Sequence, residues 1–211
     1  MMKKKISFLV LILLMAGLTV SAQIEKGNWF INGLNITSFQ AGSTKYTDSY
    51  GSPKTDFTSF SIGPSLNASS PTIALSSMPS INYGITNKLS GGIFLSTNLI
   101  SNKESNSNST FSLFFIGPTV RYYFSEGKKF IPFGEAKVGF GSFKMGDGTS
   151  STTNLSGWYL GTGATYFFVK RVGLDFTLGY GDLVAKQDAS SSSGKSTSSF
   201  FNFGRGILVS F

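Results

Sequence analysis

Apolar and polar residues alternate with a period of two along most of the chain after residue 27. The segment 171–181 shows the pattern most clearly. Its large apolar residues share one parity, and glycines with small or charged residues occupy the other. Successive side chains of a β-strand point to opposite faces, so the segment predicts a strand with one apolar and one small or polar face. The apolar positions are Leu174, Phe176, Leu178 and Tyr180, and the opposite positions are Gly173, Asp175, Thr177, Gly179 and Gly181.

The same alternation predicts eight strands joined by alternating short and long connections. The strands are 28–39, 73–85, 89–99, 111–124, 130–143, 155–168, 171–181 and 199–211. Short turns are predicted at 86–88, 125–129 and 169–171, and long polar loops at 40–72, 100–110, 144–154 and 183–198. Strict alternation of short turns with long loops, together with an even strand count, is typical of outer-membrane barrels. The segment 57–66 could form a ninth strand, but nine would place the termini on opposite sides of a membrane, so we assign it to the first outer loop as an extension of the second strand.

Two strands leave the register open at particular residues. In the first strand, apolar residues occupy both parities, so its register is not fixed by the pattern. In the last strand, Arg205 shares its parity with Phe203 and Ile207, which would direct a charge toward lipid at a cost of about 2–4 kcal/mol. Because Gly204 and Gly206 flank it, we expect a bulge that turns Arg205 inward. A different register or a lipid phosphate partner are the alternatives.

The first 22 residues have the pattern of a cleaved secretory signal. Three lysines precede an apolar stretch from Ile6 to Val20, and small residues follow at Ser21 and Ala22. Cleavage after Ala22 leaves one domain, residues 23–211, and lowers the formal net charge from +8 to +5. The remaining charges are scattered, without the basic stripe of a nucleic-acid-binding protein, so no nucleic-acid partner is expected.

The composition favours lipid on the apolar face of the predicted wall. Charged residues make up 13% and aromatic residues 15% of the chain, whereas about a quarter of a soluble domain is charged. The non-apolar face carries few charges, which suits a barrel interior better than a soluble exterior. Aromatic residues fall near the strand ends, where the aromatic girdles of membrane barrels lie. A soluble lipocalin-like carrier with its apolar face inside remains the alternative.

Two blocks in the centre of the chain and its last residue carry a family resemblance. The segments 117–124 (GPTVRYYF) and 130–141 (FIPFGEAKVGFG), with the terminal Phe211, resemble the small outer-membrane β-barrel family related to the OmpA and OmpX barrels. The resemblance implies a closed, eight-stranded, antiparallel up-and-down transmembrane β-barrel in the outer membrane of a Gram-negative bacterium. It also implies that Phe211 is recognised by the barrel insertion machinery. Members of the family have varied roles, so it does not imply an activity.

Four charged residues are predicted to face the interior of this barrel. They are Arg121, Glu135, Lys137 and Asp175. Eight strands enclose a lumen that side chains can fill, and charges in such a lumen must be paired. We therefore expect an ion-pair network that rigidifies the barrel, with a gate or narrow ion path as the alternative. Several inward positions are glycines, so part of the lumen is expected to hold water; these are Gly139, Gly141, Gly157, Gly161, Gly163, Gly179 and Gly181.

The residue types exclude most catalytic chemistry. The chain has no histidine and no cysteine, so it lacks the base or thiol of common nucleophilic sites and the usual zinc ligands. We expect no enzyme activity, cofactor or metal. An enzyme would have to rely on acids of the outer loops, namely Glu104, Asp147, Asp182 and Asp188.

The long loops are rich in Ser, Thr, Asn and Gly, and such low complexity indicates a hydrated exterior. Loop 40–72 is the longest, and its aromatic residues Tyr46, Tyr50, Phe57 and Phe60 make it the first place to expect a surface ligand. The expected role is non-catalytic: envelope integrity or surface interaction, with outer-membrane lipid as a partner. A narrow porin-like channel is the alternative.

Overall fold

The computed structural model describes residues 24–47, 54–62, 78–104, 107–146, 151–189 and 192–211. The signal segment lies outside these residues. Nine antiparallel strands make up the described part of the chain: β1 Trp29–Thr47, β2 Lys54–Ile62, β3 Ser80–Gly84, β4 Leu89–Glu104, β5 Ser107–Tyr123, β6 Phe130–Gly146, β7 Ser151–Val169, β8 Val172–Ala189 and β9 Ser192–Ser210. The described residues contain no helix that is long and apolar enough to cross a membrane.

The sheet closes on itself into a barrel. Each strand from β3 to β9 pairs with the next, and β1 completes the ring by pairing with both β3 and β9. The seam between β1 and β9 runs from the pair Phe30 and Ser210 to the pair Thr47 and Lys195. We call the end of the barrel with the chain ends and the short turns its lower end. There, the backbones of Trp29 and Phe211 exchange two hydrogen bonds of 3.0 Å. The expected fold class, an all-β, eight-stranded, antiparallel up-and-down barrel, is confirmed.

Nine strands occupy eight positions around the barrel because β2 and β3 lie beside the same strand. β2 pairs with the upper part of β1, from Thr37 to Lys45, and β3 pairs with its lower part, from Trp29 to Asn32. Both run antiparallel to β1, so β2 continues the line of β3. The described part of 57–66 therefore extends the second wall position, as expected from the even strand count. Residues 63–77 between them, with the upper part of the expected strand 73–85, lie outside the described residues.

The three predicted short turns are confirmed. The prediction of long loops is wrong over most of their length, because strands occupy these residues. β4 and β5 stay paired up to Glu104 and Ser107, and β8 and β9 up to Ala189 and Ser192. The stretch 40–47 belongs to β1 and 54–62 to β2. An antiparallel ladder is held by backbone hydrogen bonds and does not need apolar side chains. Polar strands can therefore continue the barrel wall beyond its apolar band.

The large apolar residues expected on one face lie on the outside of the wall. Trp158, Leu160, Tyr166 and Phe168 of β7 are exposed, and outward residues of the other described strands are exposed or, like Phe176, half-buried. Aromatic residues gather at two levels of this outer face, close to the lower turns and near the middle of the long strands. The lower level includes Trp29, Tyr83, Tyr122, Phe124, Tyr166, Phe168 and Phe211, and the upper level includes Phe39, Phe114, Phe140, Trp158, Tyr180 and Phe201.

Two bulges in β1 set its register at the seam with β9. Relative to β9, β1 shifts register between Ile31 and Leu34 and again between Asn35 and Thr37. Gly33 permits the first shift because its φ is +77°. The expected inward turn of Arg205 is wrong: β9 keeps an unbroken alternation, and Arg205 is exposed on the outer face. The irregularity lies across the seam, in β1 opposite Arg205, rather than beside its flanking glycines.

Candidate functional site: a charged layer inside the barrel

The lumen is filled in three layers along the barrel axis. The lower layer is an apolar cluster next to the short turns and the chain ends, formed by Ile24, Phe30, Tyr123, Ile131, Phe133, Phe167 and Leu208. The upper layer is a second apolar cluster, formed by Met78, Phe94, Leu113, Phe115, Leu155, Tyr159, Leu183 and Phe200. Between them lies a buried polar layer that includes all four of the expected charges. We call it the charged layer: Arg121, Glu135, Lys137 and Asp175, with Asn32, Ser80 and Thr165.

Arg121 is the centre of the charged layer. Its Nη2 and Nε donate to Glu135 Oε2 at 2.9 and 3.3 Å, and its Nη1 donates to Asp175 Oδ2 at 2.7 Å. With its amide oxygen turned toward Arg121, Asn32 accepts from Nη1 and Nη2 at 3.2 and 3.1 Å. One guanidinium therefore ties β5 to β6, β8 and β1.

The other two charges are also paired. Lys137 Nζ lies 3.7 Å from Glu135 Oε1. The two residues are two positions apart on the same face of β6. Asp175 Oδ1 accepts a hydrogen bond of 2.6 Å from Thr165 Oγ1 on the neighbouring strand. Two cations thus face two carboxylates, and all four side chains are almost fully buried. Buried charges require such pairing because the cost of removing them from water is high.

Ring contacts join the charged layer to the apolar layers below and above it. The Arg121 guanidinium carbon lies 3.8 Å from the centre of the Phe133 ring, in the lower cluster. Lys137 Nζ lies 5.7 Å from the centre of the Tyr159 ring, in the upper cluster. Cations over aromatic faces are attracted by the ring quadrupole. The three layers therefore form one continuous packing unit.

The packing of inward aromatic rings against the inward glycines is the part of this interior that the pattern analysis missed. Phe115 lies directly across from Gly141, Phe133 from Gly163, and Tyr159 from Gly181. A Cβ atom on Gly139 would come closer than 3.0 Å to the rings of Phe94 and Phe115, and one on Gly179 would meet Tyr159 in the same way. Four of the glycines expected to leave space for water therefore leave space for rings: Gly139, Gly161, Gly163 and Gly179. The signal was available, since each hairpin turn fixes which glycine faces which ring.

The acids considered for an enzyme are spread along the wall. Asp182 pairs in the backbone ladder with Trp158 and Ser199, while Glu104 and Asp188 lie near the far ends of β4 and β8. Asp147 lies outside the described residues. Among the described residues, no group of three or more His, Cys, Asp or Glu side chains could hold a metal ion.

Solved structures show the same architecture at low sequence identity. The outer membrane protein OprG from Pseudomonas aeruginosa is 12% identical, with a TM-score of 0.50; the match covers 91% of this chain and 99% of OprG. The outer membrane protein AlkL, solved in lipid bilayers, is 14% identical, with a TM-score of 0.51; the match covers 90% of this chain and 93% of AlkL. Neisserial surface protein A is 19% identical over 88% of this chain and 100% of its own, with a TM-score of 0.46.

The likenesses to OprG and AlkL define the class of the fold. The chain has the fold of the small eight-stranded outer-membrane β-barrels, as its resemblance to the OmpA and OmpX barrels implied. No family model and no curated protein matches the sequence.

Proposed function

We propose that the mature chain is a non-catalytic barrel of the outer membrane of a Gram-negative bacterium, acting in envelope integrity or in surface interaction through its polar strand ends. Both termini face the periplasm in this proposal, after export and removal of residues 1–22. The outward apolar band, with aromatic residues at its two levels, supports a membrane setting. The low identity of OprG and AlkL limits their support to the fold.

The filled lumen is the observation that supports a role other than that of a porin. Two apolar clusters lie above and below the charged layer, and the two cations of that layer are balanced by two carboxylates. An eight-stranded barrel is just wide enough for such filling. The interior therefore braces the wall, and we place the interaction with the surroundings on the outside.

A narrow channel is the second candidate, and the charged layer is the observation that favours it. Arg121 and Lys137 could form part of an ion path if the rings around them moved. The soluble carrier has less support, because it requires an apolar cavity inside and a polar wall outside. The described wall instead exposes Ile93, Phe140 and Leu160 and buries charges.

Electrophoresis with and without boiling, followed by bilayer conductance, tests this proposal. We expect a heat-dependent shift of a membrane-bound species, because an intact barrel resists SDS until heat unfolds it. The same folded preparation should give no stable conductance steps in planar bilayers. Stable large-pore steps would replace the proposal with a porin, and an unshifted protein in the soluble periplasmic fraction would revive the carrier. Turnover of lipid by the folded protein would show an enzyme.

We also propose that the insertion machinery recognises Phe211. Its side chain is exposed at the lower rim, while its backbone already pairs with Trp29. The variant Phe211→Ala keeps the backbone pair, so it should refold in lipid in vitro like the parent chain and accumulate poorly in the outer membrane of cells. Normal accumulation in cells would refute the recognition, and failure to refold in vitro would assign the residue to folding instead. Phe203→Ala, an outward phenylalanine within β9, is the control and should accumulate normally.

A further inference from the structure

The polar upper part of the wall carries a row of outward lysines. Lys45 and Lys54 are directly opposite each other on β1 and β2, and Lys186 and Lys195 are directly opposite each other on β8 and β9. The seam joins the two pairs, because Lys45 lies opposite Thr197, two residues from Lys195 on the same face of β9. All four side chains are exposed. We call Lys45, Lys54, Lys186 and Lys195 the lysine belt.

The belt extends along the barrel circumference toward β6. Asn154 lies opposite Lys186 on β7, and Thr152, two residues away on the same face, lies opposite Lys144 of β6. Lys144 is also exposed. Within the described residues of β1, β2, β8 and β9, the acidic residues at the height of the lysine belt are Asp56 and Asp188. Asp56 lies 3.6 Å from Lys54, and both side chains are strongly exposed, so the pair is weak.

Like charges placed directly opposite each other in a sheet destabilise it. The chain nevertheless places two such pairs in four adjacent strands. An anionic partner at this level would turn the repulsion into attraction.

The position of the belt identifies where that partner lies. The lysines stand on the outer wall, in line with the lipid-facing residues and four to six residues beyond the upper aromatic positions Phe39, Phe140, Tyr180 and Phe201. At about 3.3 Å per residue, that is roughly 13–20 Å along the tilted strands. In the membrane setting proposed above, with the upper aromatic residues at the interface, a side chain perpendicular to the wall at this height points toward the headgroup region around the barrel.

We infer that the lysine belt is a binding site for phosphate groups on the headgroups of outer-leaflet lipids. The inference rests on the membrane setting proposed above and specifies the chemistry of the lipid partner. Lysine binds phosphate as a point charge, and each lysine near an anionic lipid surface strengthens the interaction. A closely spaced row of lysines suits headgroups that carry more than one phosphate.

The test measures the temperature of the heat-dependent gel shift in two kinds of vesicle. One contains phosphatidylcholine alone, and the other contains phosphatidylcholine with bisphosphorylated lipid A in both leaflets, so that either insertion direction is informative. The belt variant is Lys45→Gln, Lys186→Gln and Lys195→Gln. The control variant is Lys26→Gln, Lys128→Gln and Lys170→Gln, which removes the same charge from the opposite rim.

We expect lipid A to raise the shift temperature of the parent chain and the belt variant to lose at least about half of that rise. In phosphatidylcholine alone, the belt variant should be as stable as the parent or more stable, because the like-charge pairs are gone. The control variant should keep most of the rise. An equal loss in both variants, or no rise in the parent, would overturn the site.

Two further outcomes separate this inference from its alternatives. If inorganic phosphate or soluble heparin at constant ionic strength raises the shift temperature in phosphatidylcholine vesicles as much as lipid A does, the site binds soluble polyanions and the lipid assignment is wrong. If the parent chain shows no heat-dependent shift in either vesicle, the membrane barrel itself is refuted, and not the belt alone.

Discussion

Arg121 and Arg205 lie on opposite faces of the same barrel wall, and their surroundings differ. Arg121 lies inside, where Glu135, Asp175 and Asn32 surround its guanidinium at 2.7–3.3 Å. Arg205 lies outside, exposed in the apolar band, with Phe176 and Thr37 directly opposite it on the two neighbouring strands. The two positions show that the lumen is built to hold charge by pairing, whereas the outer face holds its single mid-band arginine without an ion pair among the described contacts. The same residue type should therefore stabilise one face and destabilise the other.

The variant Arg121→Met should have the largest effect. It leaves Glu135 and Asp175 with Lys137 as their remaining cation, and breaking a buried pair in this way costs about 3–5 kcal/mol. The free energy of unfolding, measured by urea titration in lipid vesicles, should fall by that amount. Arg171→Met, in the exposed turn between β7 and β8, should stay within about 0.5 kcal/mol of the parent.

A combined variant separates lost pairing from lost packing. Replacing Arg121 and Asp175 together with neutral residues, as Arg121→Met and Asp175→Asn, should recover part of the loss, because Glu135 and Lys137 then remain paired with each other. If the single variant is as stable as the parent, the charged layer does not brace the barrel.

The variant Arg205→Leu should act in the opposite direction. Removing a charge from the lipid face near the middle of the band should raise the free energy of unfolding by about 2–4 kcal/mol. Arg205→Lys keeps the charge and should change stability little. A loss of stability in Arg205→Leu would show that Arg205 has a favourable partner in the membrane, such as a lipid phosphate.

The sequence predicts the outer face better than the inner one, for a physical reason. Lipid selects apolar side chains on every strand, so period-two alternation marks the outward residues directly, as on β7 and β8. The inward face has no such uniform rule, because it must combine rings, glycines and charges that fit one another. Phe115 and Tyr123 share the inward face with Arg121, so the parity of β5 places them inside, but the pattern does not show which residues they pack against.

The charged residues were predictable as a group, but their contacts were not. Opposite charges on the non-apolar face of β5, β6 and β8 indicate a network, and the structure brings those four side chains together. The contact between Asn32 and Arg121 depends on two bulges in β1, and a periodic pattern does not predict bulges. The pattern predicts loops at the polar strand ends because their composition resembles that of hydrated segments, although the hydrogen-bonding ladder continues through them.

The variant Thr165→Val tests the hydrogen bond that holds Asp175 within the charged layer. Thr165 Oγ1 donates to Asp175 Oδ1 at 2.6 Å, and both residues are buried. Valine has a similar shape and removes the donor, and a hydrogen bond to a charged group contributes about 1.5–3 kcal/mol. Urea titration in vesicles should show a loss within this range. Thr152→Val, on the exposed part of the same strand, is the control, and an equal loss there would assign the effect to strand propensity.

The variant Gly139→Val should have the smallest effect of these and tests the match between rings and glycines. A valine at this position meets Phe94 and Phe115, so the rings must move or the wall must bend. Overpacking of this kind typically costs about 1–3 kcal/mol. Gly194→Val is the matched control, since a Cβ atom on Gly194 has open space around it. If both variants unfold at the same urea concentration as the parent, the inward rings are loosely held, and water rather than ring packing fills the space beside Gly139. If only Gly139→Val is destabilised, the glycines are fitted to the rings, and lumen packing, like pairing of the lumen charges, depends on residues facing each other across adjacent strands.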